Sequence, residues 1–105
     1  MQRYETMLLL SPEFEEEKRN EIFANLGSII EREGGRLIEQ DEKNWGMKIL
    51  AYPVENQSRG YYTLLTYEGP SPLVAELERI IRITDGIYKF LTVKLDAKEA
   101  DDGLS

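Results

Sequence analysis

Leu50-Ala51-Tyr52-Pro53-Val54 and, beyond a polar stretch, Gly60-Tyr61-Tyr62-Thr63-Leu64-Leu65-Thr66-Tyr67 decide how this chain is read. Both runs are rich in the aromatic and apolar residues that suit a pleated, half-buried surface, so they read as two strands. Pro53 has no N–H to give to a ladder and is expected to close the first of them. The polar residues Glu55-Asn56-Gln57-Ser58-Arg59-Gly60 are expected to form the loop, with the second strand over 61–68. Working back from Pro53, residues 36–52 read as one long strand. It is expected to bend near Trp45-Gly46, because a glycine inside a strand often marks a bulge.

Outward from this pair the pattern changes period. Ile22, Phe23, Leu26, Ile29 and Ile30 form a helical stripe with one apolar face. Ser11-Pro12 is expected to open that helix, as a side-chain cap with proline in the first turn, with Glu13, Glu15 and Glu16 at the positive end of its dipole. Gly34-Gly35 is expected to end it. Ahead of it, residues 3–10 alternate as a strand, with Tyr4, Thr6, Leu8 and Leu10 on one side. On the far side, Gly69-Pro70-Ser71-Pro72 turns into a second helix carrying Leu73, Leu77, Ile80 and Ile81. Asp85-Gly86 breaks that helix, and residues 87–95 form the last strand.

The order is β-α-β-β-α-β. Right-handed crossovers place both helices on one face of the sheet. The expected fold is therefore α+β and ferredoxin-like, a four-stranded antiparallel sheet with two helices on one side. Residues 1–96 are expected to form a single domain, and 97–105 an acidic flexible tail.

One face of such a sheet is left open. In the last strand Ile87, Lys89, Leu91, Val93 and Leu95 alternate with Tyr88, Phe90, Thr92, Lys94 and Asp96, and neither set is polar throughout. A sheet wet on one side should alternate more cleanly. Part of the open face is therefore expected to be covered by a partner. Which set of the last strand faces the helices does not follow from the alternation.

The 105 residues include no cysteine and no histidine. Disulfides, thiol catalysis and thiolate metal sites are excluded, along with the commonest general base and metal ligand. No apolar run approaches the roughly eighteen residues of a membrane span. The start of the chain lacks the basic-then-apolar layout of a signal peptide. A cytoplasmic, non-catalytic protein without metal or cofactor is expected. The formal net charge of −7 argues against nonspecific coating of nucleic acid, which needs many cations facing phosphates.

Ferredoxin-like folds also host acylphosphatases, but their phosphate loop would fall at Ser11-Pro12-Glu13, where nearby glutamates repel a phosphate. RNA-recognition motifs share the topology, and Arg59-Gly60-Tyr61 fits the start of their third-strand signature, but Tyr62 and Thr63 depart from it.

Three segments taken together carry a closer likeness: Arg3-Tyr4-Glu5 at the start, Lys48-Ile49-Leu50-Ala51-Tyr52-Pro53-Val54 with Gly60-Tyr61-Tyr62 in the middle, and Phe90 through Lys94 at the end. Their order and spacing resemble the bacterial small-subunit ribosomal protein S six family over most of residues 2–96. The resemblance implies a structural role on the central domain of small-subunit ribosomal RNA, as a tight pair with ribosomal protein S eighteen. It implies RNA contacts at Arg3, Tyr4, Lys89 and Lys94, with Lys48 and Arg59 as further candidates.

Trp45, Tyr52, Pro53 and Val54 are the candidates for the protein partner, since Trp and Tyr are favoured interface anchors and a long second strand offers an exposed edge. The chain departs from the family pattern where Ile49 follows Lys48, where Glu55 stands shortly after the proline, and where Tyr88-Lys89 replaces a basic pair. Fewer cations imply more dependence on the protein partner. The competing class is a protein–protein interaction or regulatory module that binds no RNA.

Overall fold

The structure, a computed structural model, describes residues 2–95. Six elements follow one another: β1 (Gln2–Leu10), α1 (Glu16–Arg32), β2 (Arg36–Val54), β3 (Gln57–Gly69), α2 (Ser71–Ile83) and β4 (Ile87–Leu95). The strands form one antiparallel sheet in the order β2-β3-β1-β4. The ferredoxin-like α+β architecture expected from the sequence is the one observed. The proposed tail at 97–105 lies outside the described residues.

The core lies between the sheet and the two helices. Tyr4, Leu8 and Leu10 of β1 and Leu65 and Tyr67 of β3 meet Ile22, Phe23, Leu26, Ile29 and Ile30 of α1 and Leu73, Leu77 and Ile81 of α2. The predicted stripe of α1 is wholly buried, and that of α2 is buried except for Ile80, which is half-buried. Burying such side chains stabilises the fold by about 1.5–3 kcal/mol each, before chain entropy is counted against it. Within this apolar layer a polar chain is satisfied internally. Thr6 Oγ1 lies 2.9 Å from the Tyr67 hydroxyl and 2.8 Å from Thr92 Oγ1. Burial raises the Tyr67 phenol above its ordinary pKa.

Gly34 takes φ +87 and ends α1. Its N–H donates to the Glu31 carbonyl and that of Gly35 to the Ile30 carbonyl, the paired bonds of a Schellman motif. The start of α1 differs from expectation. Ser11 does not cap it: its Oγ accepts from the Glu13 N–H at 3.2 Å, a local turn that leaves the helix to begin at Glu16. The short Ser hydroxyl competes for a nearby backbone N–H and folds the chain back before a helix can start. The Ser11 N–H is also tied to the Gly86 carbonyl at 2.8 Å, which holds residue 11 at the sheet end.

The β2–β3 connection differs more. Pro53 does not close β2, and residues 55–60 are not a loop. β2 runs through Pro53 to Val54, which pairs with Gln57, and only Glu55 and Asn56 turn the chain. Both have positive φ, 51 and 62, the geometry of a two-residue hairpin turn whose twist matches the strands. Because β2 is an edge strand, the missing N–H of Pro53 costs no inner ladder bond. The result is a two-stranded ribbon in place of a loose loop.

Candidate nucleic-acid and partner interface

Register decides which face each side chain occupies. Tyr4 pairs with Tyr67 and Lys94, Thr6 with Leu65 and Thr92, and Leu8 with Thr63 and Phe90. These rows face the helices. The alternate rows, Arg3 with Glu68 and Leu95, Glu5 with Thr66 and Val93, Met7 with Leu64 and Leu91, and Leu9 with Tyr62 and Lys89, form the open face. In β4 the set ambiguous in the sequence is thereby assigned: Phe90, Thr92 and Lys94 face the helix layer, and Lys89, Leu91, Val93 and Leu95 the open side.

The candidate RNA contacts therefore divide. Arg3, Lys48 and Lys89 lie on the open face, Lys48 by its pairing with Gly60. Lys94 and Arg59 lie on the helix side, Arg59 paired with Ile49 on the ribbon. Lys48, Arg59, Lys89 and Lys94 are exposed, and none enters an ion pair among the described residues.

Arg3 is less free. Its Nη2 lies 3.5 Å from Glu68, which also receives two hydrogen bonds from Arg36, at 3.2 and 2.9 Å. Arg36 first, and Arg3 after it, hold the Glu68 carboxyl below its ordinary pKa. Tyr4 departs from the expected surface role: it is 6% exposed and its ring stacks on Tyr67 at 5.8 Å between centroids. The resemblance implies an RNA contact at Tyr4 as at Arg3, but alternation turns the two side chains to opposite faces.

The partner candidates gather on β2. Between Asp41 and Gly46 the register of β2 against β3 slips, because β2 carries extra residues there. Gly46, at φ +66, provides the backbone turn that the bulge needs. The Asn44 N–H and side-chain amide donate to the Asp41 carboxylate at 3.2 and 3.0 Å, holding that carboxyl below its ordinary pKa. On the inner side the Tyr61 hydroxyl donates to Glu42 at 3.1 Å, and the Arg19 guanidinium stands 4.0 Å above the Tyr61 ring. Burial first, then the charge of Glu42, raise the Tyr61 phenol.

This pinned bulge carries Trp45, 37% exposed, to within 6.3 Å of the Tyr62 ring on the open face. Further out, Tyr52 is 82% exposed, Pro53 is exposed and Val54 is half-buried. Ile49, which sequence reasoning passed over, is as exposed as Tyr52. Its only signal was an apolar residue where the resembled family favours a basic one.

The open face is apolar at its centre. Leu91 is 66% exposed and Val93 43%, beside the half-buried Met7 and Leu64. A shallow depression of about 200 Å³ lies between Met7, Leu9, Tyr62 and Lys89. At the paired positions of this face four cations (Arg3, Arg36, Lys48, Lys89) stand with four carboxylates (Glu5, Glu39, Asp41, Glu68). The excess negative charge of the chain lies elsewhere.

With this geometry in hand, comparison with known proteins is specific. Residues 3–94 match the sequence profile of the family described as Ribosomal protein S6. The small ribosomal subunit protein bS6 of Desulfovibrio desulfuricans is 58% identical over 95 residues, covering 90% of this chain and 91% of the relative. That of Solidesulfovibrio magneticus is 50% identical over 103 residues, covering 98% and 99%. Among solved structures, the 30S ribosomal protein S6 of Thermotoga maritima superposes with a TM-score of 0.85 at 25% identity, covering 98% of this chain and 95% of that one.

Proposed function

The chain belongs to the ribosomal protein S6 family of the small ribosomal subunit, and from that premise we propose that it binds small-subunit ribosomal RNA jointly with ribosomal protein S eighteen, as a structural component with no catalytic cycle. RNA lies along the β4 edge. Lys89 and Lys94 stand on opposite faces of that strand, so a phosphate backbone following the edge reaches both. Arg3 adds a contact on the open side once it lets go of Glu68. The protein partner takes the opposite edge, where Trp45, Tyr52, Pro53 and Val54 lie on β2; Lys48 and Arg59 on the ribbon serve RNA that passes near the partner.

One observation carries this reading. Lys48, Arg59, Lys89 and Lys94 stay without a carboxylate partner among the described residues in a chain with twenty acidic side chains. Cations on a rigid sheet fix register on phosphates without reading sequence. So few of them suit a protein that leans on a basic neighbour for most of the attraction.

The test is the salt dependence of RNA binding by substituted chains in the presence of S eighteen. Lys89→Ala and Lys94→Ala should each lower the slope of log K against log salt by about one phosphate contact. Tyr52→Ala should weaken the grip on S eighteen and leave that slope alone. Unchanged slopes for both lysines would remove the β4 edge from the RNA interface.

A further inference from the structure

The bulge that carries Trp45 lies where the sheet supports it least. β2 is an edge strand with no outer neighbour among the described residues. From Asp41 to Gly46 it takes five steps against two on β3, from Leu64 to Tyr62, so three of its residues have no rung opposite. Residues left out of a ladder on an open edge must take their order from side chains.

Two ties are present, and they differ in kind. The tie between Asp41 and Asn44 is local and exposed. The other comes from inside the fold. Tyr61 stands opposite Met47, just past the bulge, and its hydroxyl reaches back 3.1 Å to Glu42 at the entrance. That bond spans the bulge and closes it. The loop is drawn tight: a Cβ on Gly46 would come to 3.1 Å from the Glu42 carbonyl oxygen. The Tyr61 ring is itself fixed by Arg19, 4.0 Å above it, whose Nη1 donates to the Phe14 carbonyl at 2.7 Å. Phe14 in turn lies against Gly86, where no side chain would fit. A hydrogen bond from a phenol to a half-buried carboxylate is among the stronger ones a fold can make.

We propose that Tyr61 and Glu42 are positioning residues for the partner edge, and that their bond holds the bulge in the one shape that sets Trp45 beside Tyr62 on the open face. They act through Trp45 and do not themselves bind the partner. An anchor already in its bound position loses less freedom on association. The benefit to the partner rests on the reading that Trp45 meets it; the placing of Trp45 does not.

Trp45 is the only tryptophan of the chain, so its emission reports on the bulge directly. Tyr61→Phe keeps the ring under Arg19 and removes the hydroxyl alone. It should shift the emission to the red, raise quenching by acrylamide and weaken binding of ribosomal protein S eighteen by about tenfold, with far-UV circular dichroism unchanged. Glu42→Leu should do the same, whereas Glu42→Gln keeps an acceptor and should stay close to the parent chain. The double variant Tyr61→Phe/Glu42→Leu should be no worse than either alone, since both remove one bond. In a Trp45→Ala background, Tyr61→Phe should change the affinity for S eighteen no further. Emission and quenching unmoved by Tyr61→Phe would overturn the proposal, whatever the partner does. A loss of affinity from Tyr61→Phe that persists without Trp45 would overturn it equally. If Trp45→Ala leaves S eighteen binding intact while Tyr61→Phe still moves the emission, the placing of Trp45 stands and the partner reading falls.

Discussion

Glu68 shows how much of the surface is decided by single side chains. Arg36 donates two hydrogen bonds to one of its oxygens while Arg3 approaches the other. Its folded pKa lies below the ordinary carboxylate value, chiefly through Arg36. A depressed carboxyl contributes stability above its unfolded pKa and loses it as pH falls through the lower, folded one. Arg36→Ala should therefore move the Glu68 titration up toward the ordinary carboxylate range, read by NMR of the side-chain carboxyl. A midpoint that does not move would mean the bidentate contact does not hold in solution. With Arg36 replaced, Glu68 keeps only its contact with Arg3, the ion pair that competes with the RNA role proposed for Arg3.

The residue scale is also where sequence reading met its limit. Alternation in β1 is legible, but the resemblance implies contacts at both Arg3 and Tyr4, which alternation puts on opposite faces. In β4, Phe90 and Leu91 are equally apolar, so only the pairing of Phe90 with Leu8 reveals which looks inward.

At the scale of elements, the helices and the last strand were legible because their signals are periodic and long. Leu73, Leu77 and Ile81 recur at helical spacing and are all buried. Leu77, fully buried against the sheet, should lose about 2–5 kcal/mol on Leu77→Ala, measured by denaturant unfolding. A loss below ~1 kcal/mol would contradict its place at the centre of the core.

The β2–β3 ribbon was not legible. A polar run around Asn56 reads as a loop because the usual Asn-Gly or Asp-Gly hairpin pair is absent; here Glu55 and Asn56 take the left-handed backbone instead. Pro53 reads as a stop because edge position, which tolerates it within a strand, is a property of the sheet and not of the sequence. The bend at Trp45-Gly46 was foreseen, but its pins were not. Arg19, Glu42 and Tyr61 come from three distant segments with no shared motif.

For the whole molecule, the sheet has two edges with different characters. β4 offers lysines on both faces that are unpaired among the described residues, while β2 offers aromatic and apolar side chains on the two-stranded ribbon. In the proposed role, that division would let an acidic chain serve a ribonucleoprotein, with a rigid rail for a few phosphates on one side, a hold for a basic protein on the other, and the apolar open face between them. The topology was legible from the order of strands and helices, and the family from the resemblance carried by Arg3-Tyr4-Glu5, Lys48 through Val54 with Gly60-Tyr61-Tyr62, and Phe90 through Lys94. The separation of the candidate cations onto two faces was not, because it follows from register across β1, β3 and β4.

The central claim is that RNA binding is shared with the partner. Its most direct test is a salt-titrated binding assay on central-domain small-subunit ribosomal RNA, run with and without ribosomal protein S eighteen. Binding that is tight only with the partner present, and that falls steeply with salt, is the predicted result. No binding in either arm, or binding by the isolated chain that S eighteen leaves unchanged, would contradict it.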